Sequence, residues 1–415
     1  MENRQKIKSK AWLTVALLFF VGLLNYLDRT MIATMRESIV LAIPMTDAQF
    51  GLLTSVFLWV YGLFSPFAGF LADRFRKSYV IIGSLFVWSG VTWLTGHART
   101  YEELLATRAL MGISEAFYIP AALSLIIDYH KGSTQSSATG IHIAGTMFGQ
   151  SLGFIGGWMA ETFTWNYAFS IFGIVGIFYS VILIFTLKEA PSVVVPENDK
   201  VQKQKPIRFG NVIRALFSKI SFVYLLCFWC MMGVVGWLVM GWLPTYYKEQ
   251  FHLSQTVAGL YATAYLYPMS IIGLLAGGFF ADRWIRTNPY ARILVPVIGL
   301  GIAAPCVFFA SYTTVLTVAV VFFIIYALTR MAVDANLMPV LCMAVDTRYR
   351  ATGYGIMNML ATIVGGIGIY AAGALRDSHI NLGVIFRCAS LTIIVCVALL
   401  ILVKKNISKY NINTK

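Results

Sequence analysis

The sequence predicts an all-α membrane protein with twelve transmembrane helices in two related six-helix bundles. Three observations predict it. First, 58% of the 415 residues are hydrophobic and only 12% are charged; an ordinary soluble domain carries about twice that charge, and a disordered chain is far less apolar. Second, twelve apolar runs succeed one another along the chain. At about 20 residues per crossing they use roughly 240 residues and leave enough for loops. Third, one loop motif occurs twice, close to half a chain apart.

In order, the runs fall near residues 12–38, 47–72, 79–97, 104–128, 136–160, 166–187, 219–246, 255–281, 291–312, 314–340, 351–374 and 382–403. Several exceed 20 residues, so they tilt or project beyond the bilayer. The many glycines (34) suit close helix packing in lipid. Residues 188–218 form the one long polar stretch, with three prolines. This reads as a flexible connector that ends in a short amphipathic piece around Asn211–Ser218. The expected organisation is a tail (1–11), a first bundle (12–187), the linker (188–218), a second bundle (219–404) and a second tail (405–415).

The net charge is +14. With both termini cytoplasmic, 24 of the 32 Lys and Arg fall on the inner face, as the positive-inside rule requires. The charge therefore signals orientation in a cell (inner) membrane rather than nucleic-acid binding. All six cysteines lie in apolar runs, so no disulfide framework is visible. Cys227 and Cys230 have redox-like spacing, but they stand in a membrane run and read as small apolar helix residues. No Walker A motif, zinc spacing or catalytic constellation is present, which argues against an ATP-driven pump, an enzyme or a metal centre.

The repeated motif is GFLADRFRKS (69–78) after span 2 and GFFADRWIRT (278–287) after span 8. Gly69, Asp73 and Arg74 match Gly278, Asp282 and Arg283. Glycine allows close helix approach, and an aspartate at a helix end can cap a neighbouring helix or pair with arginine. These six residues are candidates for conformational gating. A second echo relates spans 4 and 10: Glu115-Ala116 precedes Pro120, and Asp334-Ala335 precedes Pro339, with equal spacing. The doubled motif resembles the major facilitator superfamily over residues 12–404. That resemblance implies a pseudo-twofold axis along the membrane normal, transport by alternating access, and function as a monomer.

Six ionisable residues fall within spans: Asp28, Arg29, Arg108, Glu115, Arg330 and Asp334. Each costs at least about 2.5–3.5 kcal/mol to insert, so each faces a cavity or a partner. Arg36, Glu37, Arg376 and Asp377 read as structural residues at outer helix ends. Asp28 and Arg29 are adjacent, so they point about 100° apart and cannot pair with each other. Arg108 and Glu115 lie two turns apart on one face of span 4. Placing spans 1 and 4 side by side would set Asp28 opposite Arg108 and Arg29 opposite Glu115. Such pairs either hold helices together or serve transport. In the second case arginine's planar fork suits a substrate carboxylate, and a carboxylate stripped of its guanidinium inside a membrane is neutralised by a proton. Arg29 is then the substrate clamp, Asp28 and Glu115 the proton-coupling pair.

Asn25, Tyr26, Asp28 and Arg29, as N-Y-x-D-R, are similar to the anion:cation symporter family. So are Arg108, Gly112, Glu115 and Ala116 in span 4, followed by Pro120. The resemblance implies proton-coupled symport of an organic anion, most readily a sugar acid such as a uronate, aldonate or sialic acid, or an acidic oligosaccharide. It gives Arg29 the clamp role, Asp28 and Glu115 the protonation role, and Arg108 a supporting one. The proton is then the coupling ion, no other cofactor is expected, and the partners are a small anionic substrate and the lipid bilayer. The Spinster-like transporters share the span-1 segment, so a lysolipid or amphiphile carrier is the alternative, with a drug/proton antiporter behind it. One departure stands out: family members often carry an arginine at the entry to span 6, where this chain reads T-W-N-Y-A-F.

Arg330 and Asp334 stand four apart, which allows either a pair within one helix or a second contact to the substrate. Among uncharged residues, Tyr61, Gln150, Tyr265 and Asn358 are substrate-binding candidates, with Tyr118, Trp237 and Tyr261 behind them. His142 is either a packing histidine or a proton relay.

Overall fold

In the computed structural model the described residues are 2–130, 134–190 and 209–413. Among them every regular element is helical. Span 1 is α1 (Glu2–Thr34), extended by α2 (Arg36–Ala42). Spans 2 and 3 are α3 (Asp47–Arg74) and α4 (Lys77–Thr95). Span 4 is α5 (Tyr101–Ala116) plus α6 (Tyr118–Tyr129), span 5 is α7 (Gln135–Ser151) plus α8 (Phe154–Thr162), and span 6 is α9 (Trp165–Thr186). A short α10 (Phe209–Phe217) precedes the second half. Spans 7 to 12 are α11 (Ile220–Phe251), α12 (Gln255–Ala262) with α13 (Leu266–Trp284), α14 (Ala291–Tyr312), α15 (Leu316–Ala344), α16 (Arg350–Asp377) and α17 (Leu382–Asn413). Twelve crossings place both termini on one face, here called the terminal face; the opposite one is the far face.

Among the described residues, eleven of these spans are long and apolar enough to cross a bilayer. The twelfth, span 5, is broken between α7 and α8. Three further spans break where the sequence reading ran straight through: α1–α2 at Met35, α5–α6 at Phe117, three residues before Pro120, and α12–α13 at Thr263–Tyr265. Proline removes a backbone donor and disfavours helix just before it, which accounts for the span-4 break. The amphipathic piece is helical as expected, one to two residues earlier, and seats Val212 and Leu216 in the core. Residues 191–208, the rest of the linker, lie outside the described residues.

Packing in lipid lacks a hydrophobic drive between helices and relies on close backbone approach. The α1–α7 seam shows it. A Cβ on Gly145 would lie 2.4 Å from the Phe19 carbonyl oxygen, and one on Gly149 would lie 2.1 Å from that of Leu23. The seam fixes the height of span 1, and with it Asp28 and Arg29.

The halves meet unequally at the two faces. One continuous apolar core joins Met31, Ile39, Phe50 and Phe57 of the first half to Val235, Trp242 and Met357 of the second. A separate cluster around Leu18, Leu85, Trp88 and Leu125 belongs to the first half alone, toward the terminal face. The antiparallel α3–α16 contact runs from Asp47 against Gly373 to Gly62 against Met359 and Ile363. Trp59 and Ser55 of α3 donate to the Ile363 and Gly366 carbonyls along it, at 3.0 and 2.6 Å. Beyond it Tyr354 is 39% exposed. The far face is therefore shut; these bonds between the halves stop at Trp59, short of the terminal face, which we take as the side that parts.

Gly149→Ala is expected to cost about 1–3 kcal/mol by overpacking the α1–α7 seam, read as a lower thermal midpoint of the detergent-purified protein. An unchanged midpoint would show that the seam yields freely.

Candidate functional site

The intramembrane charges meet at the junction of α1, α4 and α5. Arg29 Nε donates to Glu115 Oε2 at 2.6 Å, and the two side chains are 3% and 0% exposed. This is the pairing that the charge spacing had suggested for spans 1 and 4. The helical period explains it: the α1–α7 seam presents the Arg29 side of α1 to α5, whose Arg108–Glu115 face points inward.

The companion pairing is not formed. Asp28 takes a hydrogen bond from the Thr92 hydroxyl of α4 at 3.1 Å, and Arg108 makes no ion pair with it. Because Asp28 points about 100° away from Arg29 around the helix, it meets span 3 rather than span 4. Arg108 instead places Nη1 3.0 Å from the Met111 sulfur, and its Nε and Nη2 have no partner among the described residues. Its side chain is fully buried. The two arginines share an aromatic wall. Phe57 lies 5.0 Å from the Cζ of each, while Tyr26 and Tyr61 lie 4.7 and 4.6 Å from that of Arg29. Such cation–π contacts partly replace the hydration a buried guanidinium loses.

Both arginines border a void of about 10 Å³, closed on its other side by Trp237, Met240 and Gly241 of α11. It has room for about one water. The buried site thus lies at the seam between the halves, in its closed form.

Arg330 and Asp334 form a pair within α15, Nη1 to Oδ2 at 3.4 Å, with side chains 20% and 28% exposed. They are the wetter of the two charged sets, and Tyr354 stands within electrostatic range of both Asp334 and Tyr61. Tyr265 is nearly half exposed and packs on Tyr261, 5.2 Å between ring centres. Gln150 is half-buried and Asn358 exposed. Tyr118 and His142 are elsewhere engaged: the Tyr118 hydroxyl donates to the Leu18 carbonyl at 2.9 Å, and His142 Nδ1 lies 3.3 Å from the same oxygen. They tie spans 4 and 5 to span 1.

Of the gating candidates, Gly69 and Asp73 fall in the last turns of α3, with side chains outside the described ones, and Arg74 is exposed. Asp282 takes a hydrogen bond from Arg292 of α14 at 3.2 Å, within its own half. Gly278 lies 4.0 Å, by its notional Cβ, from Ala335, and Arg283 is exposed. Sequence reasoning missed Thr92, Tyr354 and Tyr267. The last lies within electrostatic range of both Arg330 and Tyr26. Hydroxyls are common in membrane helices, and nothing in the local sequence sets these three apart.

Residues 18–404 match the Major Facilitator Superfamily, and the chain belongs to that family: it is a multi-pass membrane transporter. Its relatives include Protein spinster homolog 1 of Xenopus tropicalis, 26% identical over 387 residues, covering 88% of this chain and 72% of that protein. The human Protein spinster homolog 1 is 27% identical over 385 residues, with 88% and 73% covered. The hexuronate transporter of Bacillus subtilis (strain 168) is 24% identical over 379 residues, with 88% and 87% covered. Among solved structures, a bacterial homologue of the human lysosomal transporter Spinster, in an inward-facing and unoccupied conformation, superposes with a TM-score of 0.76 at 22% identity, covering 96% of each chain.

Removing one partner of the buried pair strands a charge. Arg29→Ala is expected to cost about 3–5 kcal/mol, and Arg29→Ala combined with Glu115→Ala to recover most of it. Thermal unfolding of both variants checks this; equal losses would show that the cost of the single variant is not that of a stranded charge.

Proposed function

We propose that this transporter is a proton-coupled symporter of an organic anion, a sugar acid above all, working as a monomer in a cell (inner) membrane with both termini cytoplasmic. The Arg29–Glu115 ion pair, buried at the seam of the two halves beside Asp28, carries the reading. A substrate carboxylate that takes the Arg29 guanidinium leaves Glu115 as an unpaired carboxylate in a dry site. A proton neutralises it at far lower cost than a bare charge would bear. Anion and proton then travel together, because neither alone leaves the site balanced. Asp28, held by a neutral hydroxyl rather than a cation, is the second proton carrier. Arg108, buried with two unpartnered nitrogens, adds positive charge behind the clamp. Arg330 and Asp334, partly exposed on the other half, contact the polar end of a larger substrate, with Tyr61, Gln150, Tyr265 and Asn358 supplying further contacts. The repeated loop residues Gly69, Asp73, Arg74, Gly278, Asp282 and Arg283 close the cytoplasmic face when the halves swing. The similarity to a hexuronate transporter supports the sugar-acid class.

The similarity to Spinster proteins favours a second reading, a carrier of lysolipids or other amphiphiles. The two readings separate in proteoliposomes that enclose a pH dye, tested with a panel of sugar acids and their neutral parent sugars. Acidification of the lumen with an acid and not with its neutral sugar is expected. Asp28→Asn and Glu115→Gln are expected to abolish proton-driven accumulation while keeping exchange. Arg29→Lys, which keeps the charge and loses the fork, should weaken binding about tenfold or more. No acidification with any acid by a folded protein would overturn the symport reading and turn the search to lysolipids.

A further inference from the structure

The far face carries a second repeat that the loop motif does not reveal. Span 11 ends Gly373-Ala-Leu-Arg-Asp377, and span 5 ends Gly157-Trp-Met-Ala-Glu161. Each has a glycine one helical turn before an acid. Each acid sits on the first turn of a helix in the other half. Asp377 of the second half accepts the backbone N–H groups of Asp47 and Ala48 through its two oxygens, at 2.9 and 3.0 Å. These begin α3, span 2 of the first half. Glu161 of the first half accepts the backbone N–H of Gln255 with one oxygen and the Thr256 hydroxyl with the other. These begin α12, the start of span 8 in the second half.

The two arrangements are related by the pseudo-twofold, which exchanges spans 2 and 8 and spans 5 and 11. Each target helix is already capped by its own residue at the third position: Thr46 accepts from the Gln49 N–H at 3.2 Å, and Ser254 from the Val257 N–H at 3.3 Å. The acids from across the seam take what those caps leave open, the first amide of α12 and the first two of α3, where the helix dipole also favours negative charge. The glycines make the approach possible. A Cβ at Gly373 would lie 2.3 Å from the Asp47 carbonyl oxygen, and one at Gly157 would lie 3.2 Å from that of Gln255. Gln255 adds a polar tether, its side chain bonding the Ser38 backbone N–H and hydroxyl at 3.2 and 3.0 Å.

We infer that Asp377 and Glu161 form a symmetric pair of latches that hold the far face shut by capping, in trans, the opening helices of the opposite half. Ordinary salt bridges such as Lys248–Glu37, at 2.9 Å, surround them. The latches differ in kind. Each acid holds at least one backbone amide, which cannot follow an acid that moves away, so that bond is made in one state of the transporter and lost to water in the other. The device does not depend on the identity of the substrate.

Two cysteine reporters test it in the otherwise intact protein, read as maleimide labelling above the native background. Ala33→Cys lines the closed void at the seam, and Tyr354→Cys lies in the parted region toward the terminal face. In a background of Asp377→Asn with Glu161→Gln, which keeps shape and removes charge, labelling at Ala33→Cys is expected to rise about tenfold while labelling at Tyr354→Cys falls. Gly373→Ala, which forces α16 from α3 with both acids in place, should produce the same opposed shifts and serves if the double variant folds poorly. Unchanged rates at both reporters, or a rise at both, would overturn the latch, since general loosening exposes both faces.

Discussion

A bilayer makes an unpaired charge so costly that the Arg29–Glu115 pair governs much of what surrounds it. For a guanidinium on span 1 to reach a carboxylate on span 4 at 2.6 Å, the helices must share a height and a rotation. The glycine seam between α1 and α7 sets the height. The aromatic wall of Tyr26, Phe57 and Tyr61 fills the remaining space and faces the guanidinium with π-density. Buried ion pairs are seldom the most stable solution to a packing problem. One kept at the centre of a transporter, between halves that must part, fits a role in exchange: its components can be released and replaced by others of the same charge.

The two halves show one ancestral pattern put to different uses. Glu115 and Asp334 occupy matching places in the repeat, each followed by alanine and, five residues on, by proline. In the second half an arginine one turn earlier lies close enough to pair within the helix. In the first half that place is Met111, and the acid draws its cation from span 1 instead. One half thus holds a dry pair that bridges helices, the other a wetter pair confined to one helix. The wetter pair lies within the second half alone, and the dry pair borders the void where the halves join.

Closure of the far face is spread over several kinds of contact. An apolar core joins the halves there. Arg36 and Arg376 lie 5.7 and 5.3 Å from the Trp242 ring, and Arg376 also grips Glu249 and Asp47. Arg36, Glu37, Arg376 and Asp377 all sit at helix ends in this layer, where the sequence placed them as structural residues. Toward the terminal face the first half has its own separate core, so the halves can part there without opening apolar surface within that bundle.

The sequence by itself determined the twelve crossings, the half-chain repeat and the set of membrane charges, because hydropathy, periodicity and the cost of a buried charge are local quantities. It also determined that Arg29 needed a partner other than its neighbour Asp28, since 100° separates adjacent helical residues. Only the tertiary structure decided which partner each charge received. Thr92 rather than Arg108 meets Asp28 because the rotation of span 1 is set by packing against span 5, which no local pattern encodes. The breaks at Met35, Leu152 and Thr263 likewise depend on contacts between helices. The trans caps by Asp377 and Glu161 escaped the sequence for the same reason: an acid at a helix end shows that it can cap, and only the fold shows whose amides it reaches.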